Sequence, residues 1–139
     1  MTAEPTGPRA APAARHDRRS QSAGRRGEAL AAAHFERLGY RVLARNHRTR
    51  FGELDLILCD PEERTIVFCE VKTRRVGASG GVWQNLHPAK CRQVRAMGAA
   101  WLNDVQDRPR SADLRFDAVG VTLDGHGELV RLDHLEGAF

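Results

Sequence analysis

The chain reads as an α/β protein, a mixed five-stranded sheet with helices packed on it, and three observations predict this. Residues 52–58 and 66–72 are two apolar stretches rich in β-branched residues, with charges on two-residue spacing and a polar Asp60-Pro61 turn between them. That pattern is an antiparallel hairpin. A helical stretch, 88–104, stands between the second of these strands and another clear strand at 114–122. Two strands of one sheet joined through a helix require a parallel, right-handed crossover. Asp124-Gly125 then turns the chain into a last strand at 129–135, a second hairpin.

In chain order, residues 1–22 are rich in Ala, Pro and Arg and lack the apolar middle of a signal peptide, so a disordered basic tail is expected. Its prolines also spoil an amphipathic transit helix. Residues 23–139 form one domain, long enough for a core of its own. A first helix is expected over 22–38: Leu30, Ala33, Phe35 and Leu38 recur at helical spacing, Ser22 can cap the start and Gly39 stops it. Gly27 is a poor helix former, which suggests a close backbone approach. Strand 40–45 follows, then a polar turn over 46–50 and the hairpin. The loop 73–87 contains Gly77, Gly80, Gly81 and the apolar pair Val82-Trp83. A loop that long is more often functional than idle. Trp83 either stacks on a base or anchors the loop to the core, and the anchor is the reading taken from the sequence. In the second helix, Pro88 suits the first turn, and Cys91, Val94, Met97, Gly98, Trp101 and Leu102 form the buried stripe. Lys90 and Gln93 share another side, near the open end of the hairpin.

The formal charge of +4 is carried by the first 26 residues. Residues 1–26 hold six Arg against Glu4 and Asp17, whereas 16 basic and 16 acidic residues follow from Gly27 onward. Within the domain, Arg side chains gather before and after the hairpin while acids are commoner near the C-terminus, so one face suits a polyanion. Only Lys72 and Lys90 are lysines, against 20 Arg. They mark places where a compact charge with an adjustable pKa is wanted. The three cysteines (Cys59, Cys69, Cys91) form no close pair, and Cys69 and Cys91 read as small buried hydrophobes. No His-Glu-x-x-His spacing or thiolate cluster exists for zinc, so any metal is a hard one on oxygen ligands. No apolar run approaches the ~20 residues of a membrane span. A cytoplasmic protein without membrane partners is expected.

The hairpin carries the chemistry. Side chains alternate along a strand, so Glu53 and Asp55 share a face, as do Glu70 and Lys72. A loop with an even number of residues sets Asp55 on the face of Glu70: diagonal to it for six residues, opposite for eight. Two carboxylates and an ammonium then converge at one end of an apolar hairpin. Buried charge of that kind is either a structural ion pair or a functional site.

An Asp on one strand and Glu-x-Lys on the next, preceded by a helix bearing Glu28 and followed by one bearing Lys90, resembles the PD-(D/E)xK nuclease superfamily. The Glu on the first helix resembles its Holliday junction resolvase branch. Arg26-Gly27-Glu28, Leu38-Gly39-Tyr40, Asn46, Gly52-Glu53-Leu54-Asp55-Leu56-Ile57, Phe68-Cys69-Glu70-Val71-Lys72-Thr73-Arg74, Lys90, Arg115-Phe116-Asp117 and Ala138-Phe139 together resemble the YraN-type family of bacterial proteins, over about residues 23–139. The likeness implies a restriction-endonuclease-like three-layer sandwich, strand order 1-2-3-4-5 with strands 2 and 5 antiparallel to the rest. Leu54 stands where the superfamily's name has Pro.

By that resemblance the catalytic residues are Asp55, Glu70 and Lys72. Asp55 and Glu70 would hold Mg²⁺ or Mn²⁺ with the Val71 carbonyl and waters, and Glu28 would ligate directly or through water. Lys72 would position the attacking water or stabilise the pentacoordinate phosphate. Arg48, Arg74 and Lys90 would contact the nucleic acid, and Glu53 is an accessory acid or a surface charge. The implied function is a metal-dependent endonuclease acting on DNA, branched or single-stranded. The alternatives are a catalytically silent nucleic-acid-binding module of the same fold and a scaffold in which Lys72 only pairs with an acid. A junction nuclease would act as a two-fold homodimer, although no stretch of the sequence identifies an interface.

Overall fold

The computed structural model describes residues 12–78, 81, 83, 86–110 and 113–139, with side chains from Gln21 onward. The elements are α1 (Pro12–Arg37), β1 (Arg41–Thr49), β2 (Gly52–Cys59), β3 (Thr65–Arg75), α2 (Pro88–Asp104), β4 (Asp113–Leu123) and β5 (Leu129–Leu135). The strands lie in the order β1-β2-β3-β4-β5, with β3 parallel to β4 and every other neighbouring pair antiparallel. β2 and β5 therefore run against the rest, as expected.

The core is split by the sheet, and the two-residue alternation decides which side each residue serves. Val67, Cys69, Val119 and Val121 point to α1, where they enclose Ala31, Ala32 and Phe35. Ile66, Phe68 and Phe116 point the other way, to Val94, Met97 and Trp101 of α2. Helices on both faces of one sheet make the three layers. Gly98, mid-helix, is required by this packing: a Cβ there would lie 2.9 Å from the Phe116 ring. Cys59 and Cys69 are buried and Cys91 half-buried, and burial pushes the Cys69 thiol well above its ordinary pKa.

Three boundaries differ from the expected ones. α1 begins at Pro12 rather than Ser22, so residues 12–22 of the expected disordered tail are helical. The Ala and Arg of that stretch are good helix formers, and proline is tolerated in a first turn. Residues 1–11 lie outside the described residues. β1 runs on through Thr49, because Arg48 pairs with Glu53 and Thr49 with Gly52. The expected polar turn shrinks to Arg50-Phe51, tied by the Thr49 hydroxyl, which accepts from Phe51 N–H and donates to the Gly52 carbonyl. β3 continues to Arg75 because its parallel ladder with β4 persists to Arg75↔Leu123. The following loop is correspondingly shorter, and Gly80 and Val82 within it lie outside the described residues. Among the described residues no helix is long and apolar enough to cross a membrane.

Candidate active site

The ladder between β2 and β3 ends at the pair Leu56↔Cys69, and one step further along the same register sets Asp55 in line with Glu70. The opposite register is the one adopted: the ladder runs one residue beyond Leu58 to Cys59↔Ile66, so counted from Leu58 and Val67 the connection holds eight residues, of which Cys59 and Ile66 are themselves paired. Beyond that point Asp55 takes over a backbone donor: its Oδ2 accepts the Val71 N–H at 2.7 Å. The bond fixes the carboxylate against β3. Asp55, Glu70, Val71 and Lys72 all line one cleft of about 280 Å³, closed on other sides by Trp83, Leu86, Lys90 and Phe139. The two acids therefore share a face, the α2 face.

Glu70 Oε2 lies 3.2 Å from the Lys90 ammonium. Its other oxygen, Oε1, is buried with no hydrogen-bond partner among the described residues. Burial raises the Glu70 pKa, against the pull of Lys90, and the charges of Glu53 and Glu28 raise it further. Asp55 is pushed up to about 7: burial is the largest cause and the charge of Glu70 the next, opposed by the Val71 N–H, with Glu28 and Glu53 adding to the rise. In both, burial together with the neighbouring acids outweighs what the donors offset.

Glu28 approaches from α1, on the other face, around the end of the sheet. Gly27 allows this, since a Cβ there would overlap the Thr73 hydroxyl of β3, and the close approach read from the sequence is real. Asn46 then joins the acids: its Nδ2 donates to Glu28 Oε2 at 2.9 Å and to Glu53 Oε1 at 3.0 Å. It does so from a left-handed backbone, φ 49°, a conformation that Asn adopts more readily than most residues. Among the described residues no three His, Cys, Asp or Glu side chains are grouped to hold one ion. Glu28 acts on Asp55 and Glu70 through its field.

Lys72 is exposed and lines the cleft, and it makes no ion pair with another described residue. The cation bound to Glu70 is Lys90, which the resemblance assigned to a phosphate. Arg48 is 89% exposed and 3.5 Å from Glu53. It lines a separate groove along α2. Arg74 lines a cleft next to the acidic one, with Trp83 between the two. Gln93 faces away from the acids, donating to the Phe51 carbonyl at 2.8 Å.

Comparison with known proteins accounts for this arrangement at the level of family. The model of the "Uncharacterised protein family UPF0102" matches residues 27–121, more than half of the chain. The chain belongs to UPF0102. A UPF0102 protein of Mycobacterium avium (strain 104) is 46% identical over 114 residues, covering 82% of this chain and 87% of that protein. One from Mycolicibacterium gilvum (strain PYR-GCK) is 42% identical over 111 residues, 80% of this chain and 88% of the relative. One from Mycobacterium tuberculosis (strain CDC 1551 / Oshkosh) is 41% identical over 116 residues, 82% and 89% respectively.

The stretch matching the UPF0102 model holds a second buried acid for which the sequence suggested no role. Asp117 is fully buried on the α1 face of β4. It accepts two bonds from Arg115 at 2.8 Å, one from His134 at 2.8 Å and one from the Gly137 N–H at 3.0 Å. Arg115 also reaches the Tyr40 hydroxyl, and His134 meets His34 at 3.0 Å. These partners are drawn from α1, the start of β1, β4 and the end of β5, so Arg115-Phe116-Asp117 ties the edges of the fold together.

Proposed function

We propose that the cleft of Asp55, Glu70 and Lys72 is the active site of a metal-dependent endonuclease that hydrolyses DNA phosphodiester bonds, on branched or single-stranded substrates. The observation that carries the reading is Glu70 Oε1, a buried carboxylate oxygen without a partner beside a second acid. An acid kept only for structure is satisfied by donors. An unsatisfied pair with raised pKa values is a donor set for a hard cation, which would relieve both burial and repulsion.

Asp55 and Glu70 would hold Mg²⁺ or Mn²⁺, with the Val71 carbonyl as a further oxygen donor and Glu28 acting directly or through water. A bound ion would lower the pKa of a water and neutralise charge on the phosphate. The rest falls to side chains. The Val71 N–H holds Asp55 in place. Lys90 offsets part of the negative charge that an incoming phosphate meets. Lys72, with no acid partner among the described residues, keeps its ammonium for the attacking water or the phosphate. The scaffold alternative expects Lys72 to be occupied by an acid, which favours the nuclease reading over it. Arg48 and Arg74 are exposed or cleft-lining cations suited to flanking phosphates.

The test is to incubate the purified full chain with branched, single-stranded and duplex DNA in Mg²⁺ or Mn²⁺, alongside Asp55→Asn and Lys72→Ala. Metal-dependent cleavage is expected, lost in Asp55→Asn and reduced by about 10²-fold or more in Lys72→Ala. Cleavage at the wild-type rate in Asp55→Asn would expose a contaminant. Binding without cleavage of any DNA would instead establish the silent binding module.

A further inference from the structure

Trp83 lines two neighbouring clefts. On one side are Asp55, Glu70, Lys72 and Lys90; on the other, a space of about 220 Å³ lined by Arg74, Thr122, Arg131 and Asp133. The indole is half-buried and belongs to neither core cluster of the described residues. The other tryptophan, Trp101, is 2% exposed and packs among Phe68, Val94 and Met97. The described core clusters therefore give no support to the anchor reading taken from the sequence. Leu86 and Phe139 extend its apolar wall across the acidic cleft. The first cleft thus combines charged and apolar side chains, and beyond the indole two arginines stand against one acid, with Arg131 partly committed to Asp133 at 2.8 Å.

That alternation of charge, aromatic face and charge matches a single nucleic-acid strand, in which phosphates and bases alternate and each base offers a π-face. Resting on the nuclease reading of the acidic cleft, we propose that Trp83 is a base-stacking wall. The nucleotide beside the scissile phosphate lays its base on the indole, and the neighbouring phosphate points to Arg74 and Arg131. The substrate class is then a strand unpaired at the cleavage point. A base within a duplex has both faces covered by its neighbours and reaches the indole only by unstacking.

The test uses the full chain carrying Asp55→Asn, in EDTA, so that one repelling charge and any cleavage are removed. It is titrated with a labelled oligo(dT) and with a blunt duplex, following anisotropy and tryptophan fluorescence together. Quenching by oligo(dT) is expected, and it reports on Trp83 because Trp101 is buried. Trp83→Leu, which can still fill space in the loop but has no π-face, should weaken oligo(dT) binding by about tenfold or more and leave duplex binding unchanged. Trp83→Phe should retain most of the affinity. Undiminished oligo(dT) binding by Trp83→Leu, or an equal loss on both DNAs, overturns the proposal. Cleavage by the wild-type chain together with either of those results would leave the nuclease standing and remove the stacking wall. Selective loss without any cleavage would do the reverse.

Discussion

Asp117 and Glu70 sit one residue apart in register on neighbouring strands, since Cys69 pairs with Asp117, and they point to opposite faces of the same sheet. Asp117 is fully buried and the Glu70 side chain is 15% exposed, yet their environments are opposite. Asp117 accepts four hydrogen bonds, and these hold its carboxyl below the usual range although burial works the other way. Glu70 has one cation and one orphan oxygen, and Asp55 has one backbone donor. Both of those are raised. Burial therefore does not separate an acid whose oxygens are satisfied from one with an oxygen left open. The donors do.

The largest effect expected from this contrast is on stability. Asp117→Asn removes the charge that compensates Arg115 and should destabilise the fold by about 3 kcal/mol, at the low end for buried pairs, because the Arg115 side chain is 25% exposed. Asp55→Asn should leave stability unchanged or raise it, since it removes a repelling charge while keeping the shape. Urea denaturation of the two variants decides the matter: equal stabilities would show that the two acids do not differ in kind.

The next effect sharpens the link between fold and cleft. Gly27→Ala would drive a Cβ into the Thr73 hydroxyl and should cost about 1–3 kcal/mol. It should also shift Glu28 away from Asn46 and so lower the pKa of Asp55. Thr73→Ala in the same chain removes the hydroxyl, leaving a Cβ–Cβ approach of 3.0 Å, and should restore part of the loss. No rescue would mean that Gly27 matters for helix geometry rather than for contact with β3.

What was legible in the sequence was local or periodic. The hairpin, both helices, the parallel crossover and the shared face of Asp55 and Glu70 all follow from spacing within a few dozen residues. So does the close approach at Gly27. What was not legible depends on pairings across the chain. The bond between His34 and His134 spans 100 residues, and that between Arg115 and Tyr40 spans 75. No sequence pattern announced that Asp117 would be satisfied by them. Likewise Lys90 and Gln93 lie three residues apart, and only the packing of α2 shows that one meets Glu70 and the other the β1–β2 turn. Asn46 looked like part of a turn because its polarity hides a strand residue whose amide joins two acids.

The smallest expected effect is a dependence of stability on pH, and it has opposite signs at the two acids. Asp55 titrates at about 7 in the folded chain instead of the ordinary 3.8. Between those values the native state keeps a proton that the unfolded chain has released. Stability contributed by Asp55 is therefore complete below about pH 4, is lost as pH rises towards 7, and is level above it. Glu70 acts in the same direction. Asp117 acts in the other, its contribution being present above about pH 4 and lost in acid. His34, whose pKa is lowered by burial and then by His134 and Arg37, also adds stability as pH rises through about 6.5. It partly masks Asp55 in the wild-type chain, so the informative quantity is a difference. Melting temperatures of wild type and Asp55→Asn should diverge in favour of the variant as pH is raised from about 5 to 8, with most of the divergence below about pH 7. Mg²⁺ added at the upper end should close that gap by stabilising the wild type alone. Parallel curves without Mg²⁺ would mean that Asp55 is ionised throughout and that the cleft already balances its charge.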